Sequence, residues 1–194
     1  DAPIVNEYHG RNYYLYDSGE CRKVRFGDVD AGLAQADHIL EETYASGPIE
    51  HAPTETTGCS VAPEGNGRFT SYTNTQAMFF TLDNTSIILQ MDGAKLHMVG
   101  GTVGGGFGGK VDVIVEPIAI LGAKLTGRPV SFIYSREEEM QISSSRAAEK
   151  LVIKDGVMND GRIVARYVKA YIDAGAYSRH SPYGAQKSAA HFPG

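Results

Sequence analysis

The sequence predicts an α+β fold in which mixed β-sheets carry packed helices. Short stretches of alternating apolar and polar residues recur between turn-forming residues and indicate strands. Other stretches carry apolar residues three and four positions apart and indicate helices. With 194 residues, 42% of them hydrophobic, the chain can bury a core as one domain or as part of a larger one.

The first half of the chain predicts a helix, a strand and a hairpin. Residues 28–37 place apolar side chains at helical spacing, and residues 38–45 alternate as a strand does. Pro, Gly and Asn residues at 63–67 favour a turn between two further strands. The expected elements are a polar and aromatic surface segment over 6–23, a helix over 28–37, a strand over 38–45, and hairpin strands over 56–62 and 68–72.

The second half predicts alternating helices and strands that end in a long hairpin. Asn74 is a residue type that caps helices, and it precedes a helix whose buried side would carry Met78, Phe79, Leu82 and Ile87. The three glutamates at 137–139 are expected on a solvated helix face. The expected elements are a helix over 76–89, a strand over 95–99, a helix over 111–125, a strand over 129–134, hairpin strands over 148–153 and 163–172, and a last helix over 183–190.

The most informative stretch is the glycine-rich run 100–110, GGTVGGGFGGK. Glycine is costly to order and contributes no side chain, so such a run indicates positive φ values or a close approach to a ligand. Because the run lies between a predicted strand and a predicted helix, free backbone N–H groups there would attract an anionic group such as phosphate. A turn that only packs a helix tightly on a sheet is the structural alternative.

Two nucleotide-binding motifs fit this run in part. Residues 104–110 match G-x-x-x-x-G-K, but the phosphate loop of NTPases continues with Ser or Thr for magnesium, and this chain has Val111. The spacing G-x-G-x-x-G of a dinucleotide fingerprint also fits, and the next strand leads into Arg136, which favours NADP over NAD. An NADP-binding oxidoreductase domain therefore stays open as an alternative, as does a non-catalytic structural or interaction piece.

A set of segments distributed along the chain suggests a third interpretation. These segments are 50–55 (EHAPTE), 71–75 (SYTNT), 104–110 (GGGFGGK), 125–130 (LTGRPV), 135–138 (SREE), 173–177 (DAGAY) and 189–194 (AAHFPG). In this order they resemble the molybdenum-cofactor-binding large subunit of the xanthine dehydrogenase and aldehyde oxidoreductase family, the molybdenum hydroxylases. The resemblance covers nearly the whole chain from about Val29 onward.

The resemblance implies that the glycine-rich run is a cofactor loop. Gly106, Phe107, Gly108 and Gly109 would then bind the molybdenum–pterin cofactor, with Phe107 as an apolar wall and the Gly108 N–H directed at the cofactor. A Cβ atom at Gly106 or Gly108 would block that approach. Thr73 is expected beside the cofactor as well, at the position where we align the family's Gln.

Two departures from the family concern the substrate. Purine-oxidising members carry Glu directly after the loop lysine, and Val111 in its place indicates a substrate that needs no carboxylate partner there. Lys187 aligns with an Arg that holds polar aromatic substrates, so it is a candidate substrate-binding residue. Lysine keeps the charge but lacks the planar fork of arginine. A solvated helix residue is the alternative for Lys187.

The resemblance also implies that the chain is partial. The family's general base is a Glu in a later glycine-containing motif, so no catalytic residue is expected within this chain, and the chain alone is expected to be inactive. Residue 1 is Asp rather than Met, and the opening DAPI resembles an internal segment. The expected organisation is an N-terminal connecting segment over 1–28 and a partial molybdenum-cofactor-binding domain over 29–194.

For the parent enzyme, the resemblance implies a molybdenum-dependent oxidoreductase that hydroxylates an aldehyde or a nitrogen heteroaromatic substrate with oxygen from water. The cofactor would be molybdopterin or its cytosine dinucleotide. Electrons would pass to 2Fe-2S clusters and FAD on partner domains or subunits. The expected partners are those iron–sulfur and flavin modules, the remainder of the large subunit, and a second copy of the chain in a homo-oligomer.

Composition excludes several other classes of function. A net charge of -5 argues against nucleic-acid binding, and no apolar run has membrane-spanning length. Cys21 and Cys59 are too few for a disulfide framework, so free thiols in a reducing cytoplasm are expected. The six histidines lack ligand spacing, so no metal held directly by side chains is expected.

Overall fold

The computed structural model describes residues 24–175 and 184, which fall into two compact units. One unit is discontinuous and combines the chain up to Pro48 with the chain from Ala147 onward, and the other is Ile49–Arg146. The elements in chain order are α1 (Val29–Gln35), β1 (His38–Ser46), β2 (Gly58–Pro63), β3 (Phe69–Thr73), α2 (Met78–Leu89), β4 (Leu96–Gly100), α3 (Glu116–Thr126), β5 (Val130–Ile133), α4 (Arg136–Ile142), β6 (Ala148–Val157) and β7 (Ile163–Asp173).

The discontinuous unit is a three-stranded antiparallel sheet with strand order β1-β6-β7. Helix α1 packs on this sheet and begins at Asp28, whose carboxylate accepts a hydrogen bond from the N–H of Ala31 at 3.0 Å. The predicted helix, strand and long hairpin of this part are confirmed. The predicted helix over 183–190 lies outside the described residues apart from Gly184, as does the segment 6–23.

The unit Ile49–Arg146 is built on a four-stranded mixed sheet with strand order β4-β3-β2-β5. Strands β2 and β3 form the predicted antiparallel hairpin, and β5 pairs with β2 in antiparallel direction. Strand β4 pairs with β3 in parallel direction after the crossover helix α2. Parallel neighbours need such a crossover, which places the end of β4 beside the end of β3.

Helix α3 supplies the core of this unit. Val115, Ala119, Ile120 and Ala123 are fully buried, and α3 contacts β2, β3 and β5. Burial of a branched side chain such as Ile120 stabilises a fold by about 1.5–3 kcal/mol. The other core residues are Cys59, Val61, Phe69, Leu96, Met98 and Tyr134.

The buried face of α2 differs from the predicted one. Thr81 and Thr85 are fully buried, and Met78 and Leu82 pack partly buried against the core. Phe79 and Ile87, which the sequence assigned to the buried side, are 83% and 73% exposed. The prediction was wrong for these two residues because α2 carries apolar side chains on several of its faces. Periodicity alone therefore does not show which face packs against the core.

The start of α2 is also not the one expected. The helix begins after Ala77, which makes no side-chain capping bond. Asn74 instead joins the chain segment before β2, because its amide donates to the carbonyl of Thr56 at 2.8 Å and its oxygen accepts from the N–H of Gly58 at 3.1 Å. Asn74 therefore fixes the start of β2 and does not cap α2.

Within the described part of the chain, no helix is long and apolar enough to cross a membrane.

Candidate functional site

The glycine-rich run leaves the sheet at the end of β4 and does not enter a helix directly. Helix α3 begins at Glu116, so the residues over 111–115 separate the run from the helix that the sequence placed at 111. Three backbones in the run have positive φ, Gly105 at 99°, Phe107 at 53° and Gly108 at 98°. A non-glycine residue in this region costs about 1–3 kcal/mol, so the surroundings must hold Phe107 in place.

Gln76 is the side chain that supports the middle of this loop. Its Oε1 accepts hydrogen bonds from the backbone N–H groups of Gly108 and Lys110, both at 3.1 Å. The backbone N–H of Gln76 donates to the carbonyl of Lys110 at 2.8 Å. A Cβ atom at Gly106 would overlap the Gln76 side chain. The sequence prediction did not include Gln76, which directly follows the segment SYTNT in which Thr73 was chosen.

Thr73 does not contact the loop through its hydroxyl. The residue is buried on β3, and its Oγ1 donates to Glu116 Oε1 at 2.6 Å. The second oxygen of Glu116 accepts from the N–H of Ile114 at 3.1 Å. The Thr73 hydroxyl therefore fixes the start of α3, and its assignment to the cofactor stays a prediction that this geometry does not favour.

An ion pair ties the two ends of the run 104–110 together. Lys110 Nζ lies 2.8 Å from Glu55 Oε2, and the same oxygen accepts from the N–H of Gly104 at 2.8 Å. The Lys110 side chain is 2% exposed and that of Glu55 is 40% exposed. Burial raises the pKa of Glu55, but the hydrogen bonds and charge of Lys110 together with the Gly104 N–H outweigh it and lower the pKa.

The segment that carries Glu55 is anchored by α4. The Arg136 guanidinium donates to the carbonyls of Pro53 and Thr54. The carboxylate of Glu139 accepts from Thr57, from its N–H at 2.6 Å and from its hydroxyl at 2.9 Å. Glu139 is 2% exposed, so the solvated helix face predicted at 137–139 was wrong at this residue. The reason is that α4 directs this carboxylate onto the segment before β2.

His51 and Ser144 support the end of the loop. A Cβ atom at Gly109 would lie 2.9 Å from His51 Nδ1, so the imidazole requires glycine at this position. Among the described residues, the buried Nδ1 atom of His51 has no hydrogen-bond partner. Ser144 Oγ donates to the carbonyl of Gly109 at 3.1 Å. The loop therefore rests on side chains from several directions.

The crest of the loop is left free by these contacts. In the part of the chain that the structure describes, no acceptor meets the backbone N–H of Gly105, Gly106 or Phe107. The Phe107 side chain is 73% exposed. The N–H of Gly108, which was expected to face the cofactor, is bonded to Gln76 instead. A polar ligand at this crest would thus meet the N–H groups before Gly108.

This crest fits a pterin cofactor with its many polar atoms. Successive N–H groups in a turn with positive φ values form a concavity that binds anions and acceptor oxygens. The Phe107 ring beside them offers an apolar surface. Within residues 24–175 and 184, no cluster of His, Cys, Asp and Glu is suited to hold a metal ion directly. A metal carried by an organic group is compatible with such a loop.

The geometry does not favour either nucleotide motif. A dinucleotide fingerprint requires its glycines at the N-terminus of the following helix, whereas α3 begins only at Glu116. Arg136, the residue proposed for a 2′-phosphate, donates to the main chain. Lys110, the lysine of the other motif, is buried in an ion pair. The candidate substrate residue Lys187 lies outside the described residues.

Comparison with known proteins agrees with the molybdenum-cofactor interpretation of the sequence. The family described as Molybdopterin cofactor-binding domain matches residues 8–194. The chain is 37% identical over 155 residues to "Probable hypoxanthine oxidase XdhD" of Escherichia coli (strain K12), covering 80% of this chain and 16% of that protein. It is 30% identical over 175 residues to the nicotinate dehydrogenase large molybdopterin subunit of Eubacterium barkeri, covering 90% of this chain and 41% of that one.

Solved structures share the fold. The aldehyde oxidoreductase from Desulfovibrio gigas superimposes with a TM-score of 0.72 at 23% sequence identity, covering 79% of this chain and 17% of that chain. The α+β fold and the resemblance drawn from the sequence are confirmed. This chain belongs to the family of molybdopterin cofactor-binding domains, among the xanthine dehydrogenase-like and aldehyde oxidase-like proteins.

Proposed function

We propose that this chain is part of the large subunit of a molybdenum hydroxylase, in which the crest Gly105, Gly106 and Phe107 contacts the molybdenum–pterin cofactor. The chain spans 16% of the length of the XdhD relatives, so the activity of the whole protein is part of this proposal. The observation that carries it is the loop crest. Its N–H groups are free of acceptors among the described residues, and its exposed phenylalanine has a positive φ.

The residues of this chain would bind and orient the cofactor. The N–H groups of Gly105, Gly106 and Phe107 would donate to its acceptor atoms, and the Phe107 ring would exclude water from one side. Gln76 and Glu55 would hold the loop in the conformation that exposes these groups. When bound, the cofactor supplies the redox chemistry of oxidative hydroxylation with oxygen from water.

The proposed substrate is an aldehyde or a nitrogen heteroaromatic ring. Relatives of this chain are named for both kinds, the aldehyde oxidases and the nicotinate dehydrogenase. The half-buried Val111 favours a substrate without a carboxylate partner after the loop lysine. Lys187 is proposed to contribute positive charge at the substrate, and the general base would come from a later segment of the same subunit.

The proposed partners are the iron–sulfur and flavin domains or subunits that accept the electrons, the remainder of the large subunit, and a second copy in a homo-oligomer. We place the enzyme in the cytoplasm. Cys59 is a free, buried thiol, which is compatible with a reducing compartment.

The experiment that tests the function uses the full-length enzyme with its partners. We expect one molybdenum per large subunit by mass spectrometry of the metal, and dye reduction with an aldehyde or nicotinate. Phe107→Ala should lower dye reduction by about tenfold or more, because a displaced reacting centre costs catalysis steeply.

The matched control is Phe79→Ala, since Phe79 is 83% exposed in the same unit but lies on α2. It should leave the rate per molybdenum unchanged. Equal effects of the two substitutions would contradict the proposed role of the crest. Micromolar NADP binding by calorimetry, lost in Arg136→Ala, would favour the dinucleotide alternative instead.

A further inference from the structure

We propose that Glu55 is the positioning residue of the glycine-rich loop, and that its carboxylate sets the shape in which the loop meets its ligand. The identity of that ligand rests on the proposed function. The role of Glu55 rests on contacts within the chain.

One oxygen atom of Glu55 holds both ends of the run 104–110. Oε2 accepts from the N–H of Gly104 at 2.8 Å and from Lys110 Nζ at 2.8 Å. The main chain of Glu55 adds a further bond, because its N–H donates to the carbonyl of Gly104 at 3.1 Å. Between these two ends lie Gly105, Gly106 and Phe107, whose N–H groups meet no acceptor among the described residues. Glu55 therefore closes the loop without using any group of its crest.

The charge of Glu55 is needed at this point. The side chain of Lys110 is 2% exposed, and a buried ammonium group without an anion beside it is strongly unfavourable. Removing the carboxylate charge would drive Lys110 toward solvent. Because the backbone of Lys110 closes the loop, its displacement would move the end of the crest as well.

Gln76 does not replace this contact. It bonds the N–H groups of Gly108 and Lys110, which lie after the crest, and no bond joins it to Gly104. A Cβ atom at Gly104 would lie 2.6 Å from the Cβ of Glu55, so the start of the loop is fitted to Glu55 itself. Gly104, at the start of the run, is thus positioned by Glu55, and Lys110, at its end, is positioned by both Glu55 and Gln76.

The test compares Glu55→Gln with wild type in the full-length enzyme by hydrogen exchange and mass spectrometry. The glutamine keeps the shape and an acceptor for Gly104, but it has no charge to face Lys110. We expect amide exchange of residues 104–110 to accelerate by about tenfold, the effect of losing one charge-assisted hydrogen bond. The molybdenum and pterin content of the purified variant should fall in parallel.

Three further variants make the result specific. Lys110→Met should accelerate exchange of the same peptide, and the double variant should be no worse than the more affected single one, because the residues act as a pair. Glu41→Gln is the matched control, since Glu41 pairs with Lys154 at 3.1 Å on the exposed surface of the other unit. It should leave the loop and the cofactor content unchanged.

Loop exchange equal to wild type in Glu55→Gln would overturn the role of Glu55. So would acceleration spread equally over β2 and β3, because the residue would then stabilise the unit as a whole. Failure of the proposed function has a different signature. Wild-type enzyme that carries no molybdenum would contradict the function, while the exchange measurement on its loop would still decide the role of Glu55.

Discussion

Three glycines of the loop are each explained by a different side chain. A Cβ atom at Gly104 would meet Glu55, one at Gly106 would meet Gln76, and one at Gly109 would meet His51. These are contacts within the protein, so the density of glycine reflects how closely the loop rests on its supports. The N–H groups of Gly105, Gly106 and Phe107 meet no acceptor among the described residues.

Two alanine substitutions compare a glycine that is packed against its supporting side chain with a glycine that has open space around it. Gly106→Ala should lower the free energy of unfolding by about 1–3 kcal/mol, because the new methyl overlaps Gln76 and forces it to move. Gly101→Ala is the control in the same run, since no atom lies within 4 Å of a Cβ built there. Thermal unfolding of the full-length enzyme measures both, and equal destabilisation would contradict the role of Gln76.

At Gly108 the structure changes the interpretation of a substitution. A Cβ atom there would lie 3.8 Å from His51 Nε2, so the protein itself leaves room for it. The φ value of 98° nevertheless strains any other residue. Loss of activity in Gly108→Ala would therefore combine backbone strain with any obstruction of a ligand, and Phe107→Ala is the cleaner substitution.

Which polar side chain reaches the loop could not be predicted from the sequence. The segment SYTNT was recognised and Thr73 was chosen within it, whereas Gln76, the next residue after the segment, makes the contact. The choice depends on how the chain turns between β3 and α2, where Thr75 bonds the carbonyl of Lys110 at 3.2 Å. Such a turn is set by tertiary contacts, which local patterns do not contain.

At the scale of elements, α4 is the support of the segment that carries Glu55. The helix has a capping box, in which Ser135 and Glu138 exchange hydrogen bonds, so it forms from local signals. The sequence therefore indicated the element. It did not indicate that Glu139 is buried, because this depends on the position of Thr57 on another segment.

Glu139→Ala tests this support. The N–H and hydroxyl of Thr57 would lose their acceptor in a buried place, so we expect unfolding to become easier by about 2–3 kcal/mol. Glu137→Ala on the exposed face of the same helix should change the stability by less than about 0.5 kcal/mol. Denaturant unfolding of the full-length enzyme checks this pair. Equal effects would mean that the buried carboxylate adds nothing beyond helix propensity.

Strands β6 and β7 are joined by a cross-strand ion pair between Asp155 and Arg166. Both of its hydrogen bonds are 2.7 Å long, and the side chains are 16% and 24% exposed. The Arg166 hydrogen bonds and charge lower the pKa of Asp155, although burial opposes them. The contribution of the pair is thus complete above the ordinary aspartate pKa and is lost as the pH falls through the lowered one.

Asp155→Asn should destabilise the protein by about 1–2 kcal/mol at neutral pH. Below about pH 4 the difference in stability between the variant and wild type should shrink, because Asp155 becomes protonated first in the unfolded and then in the folded protein. Thermal unfolding as a function of pH measures it. A constant difference across the acidic range would contradict the pairing.

At the scale of the whole molecule, local patterns predicted most strands and helices and both hairpins, but not the pairing of strands that are distant in the sequence. Alternation and turn residues located β1, β6 and β7. Strand β1 nevertheless pairs with β6, although the whole unit Ile49–Arg146 lies between them in the sequence. Long-range pairing of this kind depends on tertiary contacts, which periodicity does not contain. The domain boundary predicted after residue 28 stays a prediction.

The supports of the loop belong to one compact unit. Glu55, Gln76 and α4 all lie in Ile49–Arg146, as does the loop. These supports leave the N–H groups of the crest free of acceptors among the described residues.

The most direct measurement is hydrogen exchange of the full-length enzyme, purified from a host that makes the molybdenum cofactor and from one that cannot. We predict that the amides of Gly105, Gly106 and Phe107 exchange slowly with the cofactor present and rapidly without it, while exchange in α2 is unchanged. Equal exchange at these amides in both preparations, although one of them is loaded with molybdenum, would contradict the role of the crest in binding the cofactor.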